Sequence, residues 1–210
     1  MSKRWEQLAA ITGLVGVALL VTSGIVGGET PDFDAPVGEV TSFYVDEEGS
    51  QGAAAILAAY GAFFLAFFVS RVRRALRLAE GPVARLSTAA LAGGVLMAVG
   101  ITIFAGLGFA LADAADSMEP AATQALHVLN SDMFFTLAVG SGVFLLATGL
   151  GTIRFGGLPT WLGWLALIIG ILCVTPVGFF AFLAGLIWMA IASIVLCVGA
   201  EDTTAPAAGA

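Results

Sequence analysis

Residues 52–77 read GAAAILAAYGAFFLAFFVSRVRRALR. Gly52–Ser70 carries no charge, and four arginines then crowd together: Arg71, Arg73, Arg74 and Arg77. A helix rises 1.5 Å per residue, so about 20 residues cross the roughly 30 Å hydrocarbon core of a bilayer. Water is absent there, so backbone groups have to bond within the segment, which only helices and closed barrels achieve. The run is continuously apolar rather than alternating, which selects a helix. The arginines mark the end that stays in water.

Working outward, composition agrees. Of 210 residues, 59% are hydrophobic and 11% charged, against about 25% charged in a soluble domain. Five further uncharged runs complete six spans, at about 8–27, 86–111, 133–153, 160–175 and 179–198 beside 52–70. The first is longer than the apolar core of a secretory signal and no A-x-A site follows it, so it reads as a retained helix. The fold class expected is an all-α bundle of six transmembrane helices in one domain, residues 1–198. The small, polar residues 199–210 read as a disordered tail.

Charge tests this count. Lysine and arginine concentrate on cytoplasmic loops. With six spans and the first residue inside, all eight fall on one side: Lys3, Arg4, Arg71, Arg73, Arg74, Arg77, Arg85 and Arg154. The acidic segments, from Glu29 to Gln51 and around Asp113, Asp116 and Glu119, hold none. Both termini are therefore expected in the cytoplasm. Within the first acidic segment Val37, Val40, Phe43 and Tyr44 recur at helical spacing and predict a short amphipathic helix on the membrane surface.

Lipid tails are as apolar as leucine, so helices associate by close packing at small residues. Two spans carry such residues at every fourth position. One ridge is Ala54, Ala58, Ala62, Ala66 and Ser70; the other is Ala90, Gly94, Ala98, Thr102, Gly106 and Ala110. Packing of the two spans on each other is the expected use, a dimer seam the alternative. Leucine at Gly94 or Gly106 is expected to disrupt folding or assembly.

Candidate sites are few. The stretch ALHVLNSDMFF, 125–135, holds the one histidine, His127, with Asn130, Ser131 and Asp132. One reading is a polar cluster at the outer face: His127, Asn130, Asp132 and Asp113, joined by Asp34. The blander reading makes Asn130, Ser131 or Asp132 the cap that starts the fourth span, because their oxygens accept the free N–H groups of a first turn. A metal needs several ligands, and no second histidine or suitable cysteine exists. Cys173 and Cys197 fall toward opposite faces, so no bond joins them. No cofactor is expected. Arg71, Arg73, Arg74 and Arg77 suit contact with anionic lipid, each basic residue contributing about 1 kcal/mol near such a surface. The acidic balance elsewhere argues against nucleic acid.

No Asp, Glu, Lys, Arg or His falls inside a span. Proton relays and many ion-coupled carriers use such groups. Gly140-Ser141-Gly142 frames a serine, but a serine nucleophile needs a base within reach; His127 is roughly 20 Å away along a helix. Thr136, Ser141, Thr148 and Thr152 are expected to bond their own helix or a neighbour.

The segments LPTWLGWLALIIGILCVTPVGFFAFLAGLIWMAIASIVL, RVRRALRLAEGPVARLSTAALAGG and VGEVTSFYVDEEG together resemble small six-span membrane proteins of actinobacteria, a family of unknown function. The resemblance implies a bacterial cytoplasmic membrane protein and carries no functional residue across. The reading that follows is a non-enzymatic structural, accessory or partner-binding protein, in contact with lipid and with a membrane-protein partner or a second copy. Its rivals are a permease for a small neutral or lipophilic solute and a lipid-modifying enzyme at the outer face.

Overall fold

The computed structural model describes residues 3–82 and 84–202, with side chains from 8 to 198 apart from 83. Among the described residues there are seven helices and no strand: α1 Lys3–Gly27, α2 Val37–Asp46, α3 Glu48–Glu80, α4 Arg85–Ala114, α5 Pro120–Phe155, α6 Thr160–Cys173 and α7 Gly178–Asp202. Five of them, all but α2 and α6, are long and apolar enough to cross a membrane. The chain is thus a multi-pass membrane protein by its fold. Its exterior agrees: Ile25, Phe33, Leu78, Phe135, Phe180 and Ile187 are among many large apolar side chains left uncovered, a surface that water would not tolerate.

Local chemistry sets the ends. Gly28 (φ +64°) follows α1, Gly81 (φ +81°) ends α3, and Gly156 and Gly157 (both +92°) end α5; a left-handed backbone is open to glycine at no steric cost. Pro120 occupies the first turn of α5, where its missing N–H is not needed. The start of α4 is capped from a distance. Glu80, the last residue of α3, accepts the N–H groups of Leu86 (2.8 Å) and Ser87 (3.0 Å).

Six helices close a ring. α1 packs on α3, α3 on α4, α4 on α5, α5 on α6, α6 on α7, and α7 returns to α1; α5 also touches α3 and α7, which fills the middle. Phe68 of α3, Phe144 of α5 and Trp188 of α7 meet edge to face at the centre, with centroids 6.4 and 6.2 Å apart. The Trp188 indole N–H donates to the Leu162 carbonyl of α6 at 2.9 Å.

Glycine keys the seams. A Cβ on Gly93 or Gly140 would run into the main chain of Phe144 or Met97, and one on Gly100 would stand 2.9 Å from the Leu137 backbone. These three lock α4 to α5 in antiparallel register. Across α5 and α6, a Cβ on Gly149 would stand 2.7 Å from the Gly163 carbonyl oxygen, and one on Gly142 3.2 Å from that of Gly170.

The ridges at every fourth position are half right. Ala90 and Gly94 are buried, with Val69 of α3 against Gly94. Thr102, Gly106 and Ala110 are exposed, and nothing lies within 4 Å of a Cβ on Gly106. Likewise Ala54, Ala58 and Ala62 are buried while Ala66 and Ser70 face out. At 3.6 residues per turn, a step of four overshoots by about 40°, so a long ridge winds off any one partner. The buried row of α4 is instead Ala90, Gly94, Met97, Ile101, Ala105.

Span limits change too. α3 begins four residues before Gly52 and runs to Glu80; α5 reaches back to Pro120. α6 has 14 residues, two fewer than expected. α7 continues to Asp202, inside the expected tail; residues 203–210 lie outside the described part.

Candidate functional site

The acidic end of the bundle holds a folded cap. After Gly28 the chain runs loosely to Pro36, and α2 then lies against α5, α3 and α4. Half of its apolar stripe, Val40 and Tyr44, turns into the protein, while Val37 stays exposed and Phe43 half-buried, which corrects the expectation of a helix resting on the membrane surface by the whole stripe. Val40 and Tyr44 are buried with Leu111 and Ala115 in a small core of their own, with Phe43 and Leu126 against it. A protein surface with matching apolar side chains was available to cover the stripe.

α5 supplies the polar partners. It passes through Asn130, Ser131 and Asp132 without interruption, so none of them starts a helix. The capping reading is overturned: Ser131 bonds back to the His127 carbonyl (3.1 Å), a mid-helix arrangement, and the helix begins at Pro120. The overhang therefore presents Thr123, His127 and Asn130, at spacings of four and three, along one stripe.

His127 is 2% exposed. Its Nε2 lies 3.3 Å from the Asp32 carbonyl, and its Nδ1 lies 3.0 Å from the Tyr44 hydroxyl. A carbonyl only accepts, so Nε2 carries the proton in the neutral ring and Tyr44 donates to Nδ1. Burial pushes the Tyr44 hydroxyl up to about 12, which keeps it a donor. The Gln124 amide donates to the Phe33 and Ala35 carbonyls at 3.4 and 3.3 Å. Two side chains of α5 thus hold three carbonyls of the 32–35 loop, while Tyr44 ties α2 to the same helix.

The expected cluster does not assemble around His127. Asp113, Asp132 and Asp34 are exposed, and Asn130 Oδ1 is buried without a hydrogen bond, as is Thr123 Oγ1. Tyr44, Thr123 and Gln124 were missed by sequence reasoning. Tyr44 was legible as part of an apolar stripe, but its hydroxyl partner lies 83 residues on. Beside the cap, Glu29, Asp32, Glu39, Asp46 and Glu47 line an open concavity of about 540 Å³. No group of three or more His, Cys, Asp or Glu among the described residues is arranged to hold a metal ion.

At the opposite end α3 runs past Ser70. Arg71, Arg73 and Arg74 are half-buried on this extension and Arg77 is exposed. Arg154, at the end of α5, stands 5.5 Å over the Phe155 ring. Inside the bundle Ser141 donates to Leu137 O (2.7 Å), as expected. Thr148 and Thr152, against expectation, leave their hydroxyls without a partner. Cys173 and Cys197 are both free.

No family model, no curated protein and no solved structure matches this chain. The class defined by the fold, a multi-pass helical membrane protein, therefore rests on the sequence and the structure alone.

Proposed function

We propose that the chain crosses the bacterial cytoplasmic membrane six times, with its basic end and both termini in the cytoplasm. We propose further that it acts there, without catalysis, as an accessory protein that binds a membrane partner. The sixth crossing is α6. Its 14 residues are short for a bilayer, but they do not act alone. Gly163 packs on Thr152 of α5, and the Phe179 ring at the start of α7 lies 5.8 Å from that of Phe134. Between those levels α5 rises about 27 Å, close to a hydrocarbon core. The grouping of all Lys and Arg on one side of six spans supports the orientation.

The observation that carries the accessory reading is the close interlocking of the helix seams. Glycines key α4, α5 and α6 into each other's main chains, and no Asp, Glu, Lys or Arg is buried among the described residues. A carrier that rocks one half against another needs a seam that slides. Cavities on α3 and α4 open sideways toward lipid rather than along the ring, which weighs against the permease. His127 spends both ring nitrogens on the fold, which weighs against the lipid-modifying enzyme.

Two measurements test this. A tag after Ala210 should be labelled only once the membrane is opened; labelling from outside intact cells refutes the topology. Photo-crosslinking in native membranes from lipid-facing positions of α3 should yield a defined protein adduct. Flux of a neutral solute through vesicles holding the pure chain would replace the accessory reading with the permease.

A further inference from the structure

Tyr60 stands in an unusual place. It lies midway along the uncharged stretch Gly52–Ser70, so about 13 Å of helix separates it from either end. It is 59% exposed on the lipid-facing side of α3, and its hydroxyl makes no hydrogen bond among the described residues. Tyrosine normally sits where its hydroxyl reaches the headgroups. A hydroxyl left unpaired in hydrocarbon is costly, and lipid tails offer it no acceptor.

The surroundings are shaped for a helix. Ile56, Ala59, Tyr60 and Phe63 line a cavity of about 390 Å³. It shares Ile56 and Ala59 with a second, of about 260 Å³, that runs across to Thr102, Gly106 and Phe109 of α4. Thr102 is exposed here. Its hydroxyl donates to the Ala98 carbonyl at 2.8 Å, which leaves its oxygen free to accept. The depth matches as well. Val69 packs on Gly94 in this antiparallel pair; nine residues back along α3 is Tyr60, and nine forward along α4 is Ile103, next to Thr102.

We infer that this groove is the seam of a homodimer, in which Tyr60 of each copy donates to Thr102 of the other across a two-fold axis along the membrane normal. Copies inserted in the same orientation are related by such an axis, which preserves depth. An unpaired donor and a free acceptor at equal depth on one patch are then satisfied twice by a second copy. A foreign helix would have to supply a suitable acceptor at the same depth independently. The exposed glycine lets the backbones approach. The inference deepens the partner-binding reading and rests on it, in that the groove has a protein occupant.

The test is the oligomeric state of the full chain, labelled and diluted in phospholipid vesicles, read by single-molecule photobleaching. Wild type is expected to pair. Tyr60→Phe, which removes two hydrogen bonds per dimer, should raise the dissociation constant roughly tenfold. Gly106→Leu fills the groove and should abolish pairing while thermal unfolding of the monomer is unchanged, since a side chain there meets nothing of its own fold. A monomeric wild type, or both variants pairing as wild type does, overturns the dimer. A photo-crosslinker at Phe63 in native membranes separates the two ideas. An adduct with a different polypeptide overturns the dimer and leaves the accessory reading standing. A monomer with no protein adduct overturns both.

Discussion

The Tyr44 hydroxyl lies 3.0 Å from Nδ1 of His127, and each residue is at most 2% exposed. This single bond joins α2 to the overhang of α5, and the other ring nitrogen reaches the Asp32 carbonyl. The one histidine of the chain is therefore a fastening for the acidic cap. Both of its nitrogens are engaged, so removing either partner strands a buried polar atom.

Tyr44→Phe leaves Nδ1 without a donor at nearly constant shape. A buried group left unsatisfied costs about 1–3 kcal/mol. Denaturation in detergent should show a loss of that order, with hydrogen exchange quickened in α2 and the 32–35 loop before the spans. Exchange at wild-type rates would show that the bond holds nothing.

Alkaline pH should act through the same residue. Burial raises the Tyr44 hydroxyl from 10.0 to about 12, so the folded state keeps its proton where the unfolded chain has lost it. The contribution is complete below pH 10 and disappears as pH climbs through about 12. A stability profile across this window should fall for wild type and fall less for Tyr44→Phe. Equal slopes would remove Tyr44 as the cause.

Glycine substitutions should split by seam. Gly100→Leu and Gly140→Leu force side chains into the facing backbone, and overpacking costs about 1–3 kcal/mol or more. Gly94→Leu collides with Val69 and should behave similarly. The Gly106→Leu monomer should unfold like the wild-type monomer, so of the expected loss of folding or assembly only assembly is at stake there. Thermal unfolding in one detergent ranks the four.

Glu80→Ala should loosen the hairpin between α3 and α4. Two first-turn N–H groups of α4 lose their acceptor, a capping loss of about 0.5–2 kcal/mol. Proteolysis at residues 81–84 in inverted vesicles should quicken. If cleavage is no faster than in wild type, the carboxylate is not the cap.

How much was legible depends on whether a feature is local. The apolar runs, the arginines after Ser70, and the Gly81-Pro82 and Thr175-Pro176 breaks are properties of adjacent residues, so sequence located the apolar part of each long helix, while the helical extensions to Glu80 and back to Pro120 fell outside the expected spans. The amphipathic stripe of α2 was visible for the same reason. Its burial partner was not, because Leu111, Ala115 and His127 lie on two other helices. Asn130 to Asp132 misled because good capping residues also sit within helices: Ser131 donates to the His127 carbonyl one turn back, and Asp132 points out of the bundle.

Sequence by itself determined the class: the length of each uncharged run against the thickness of hydrocarbon, and the side on which positive charge gathers. Tertiary structure alone decided which faces are inside. A row at every fourth position leaves its partner after about two turns, so only the observed packing separates buried Gly94 from exposed Gly106. It also decided that His127 is a fastening rather than a free base, because the groups that occupy its nitrogens come from residues 32 and 44, brought to it by the packing of α2 on α5.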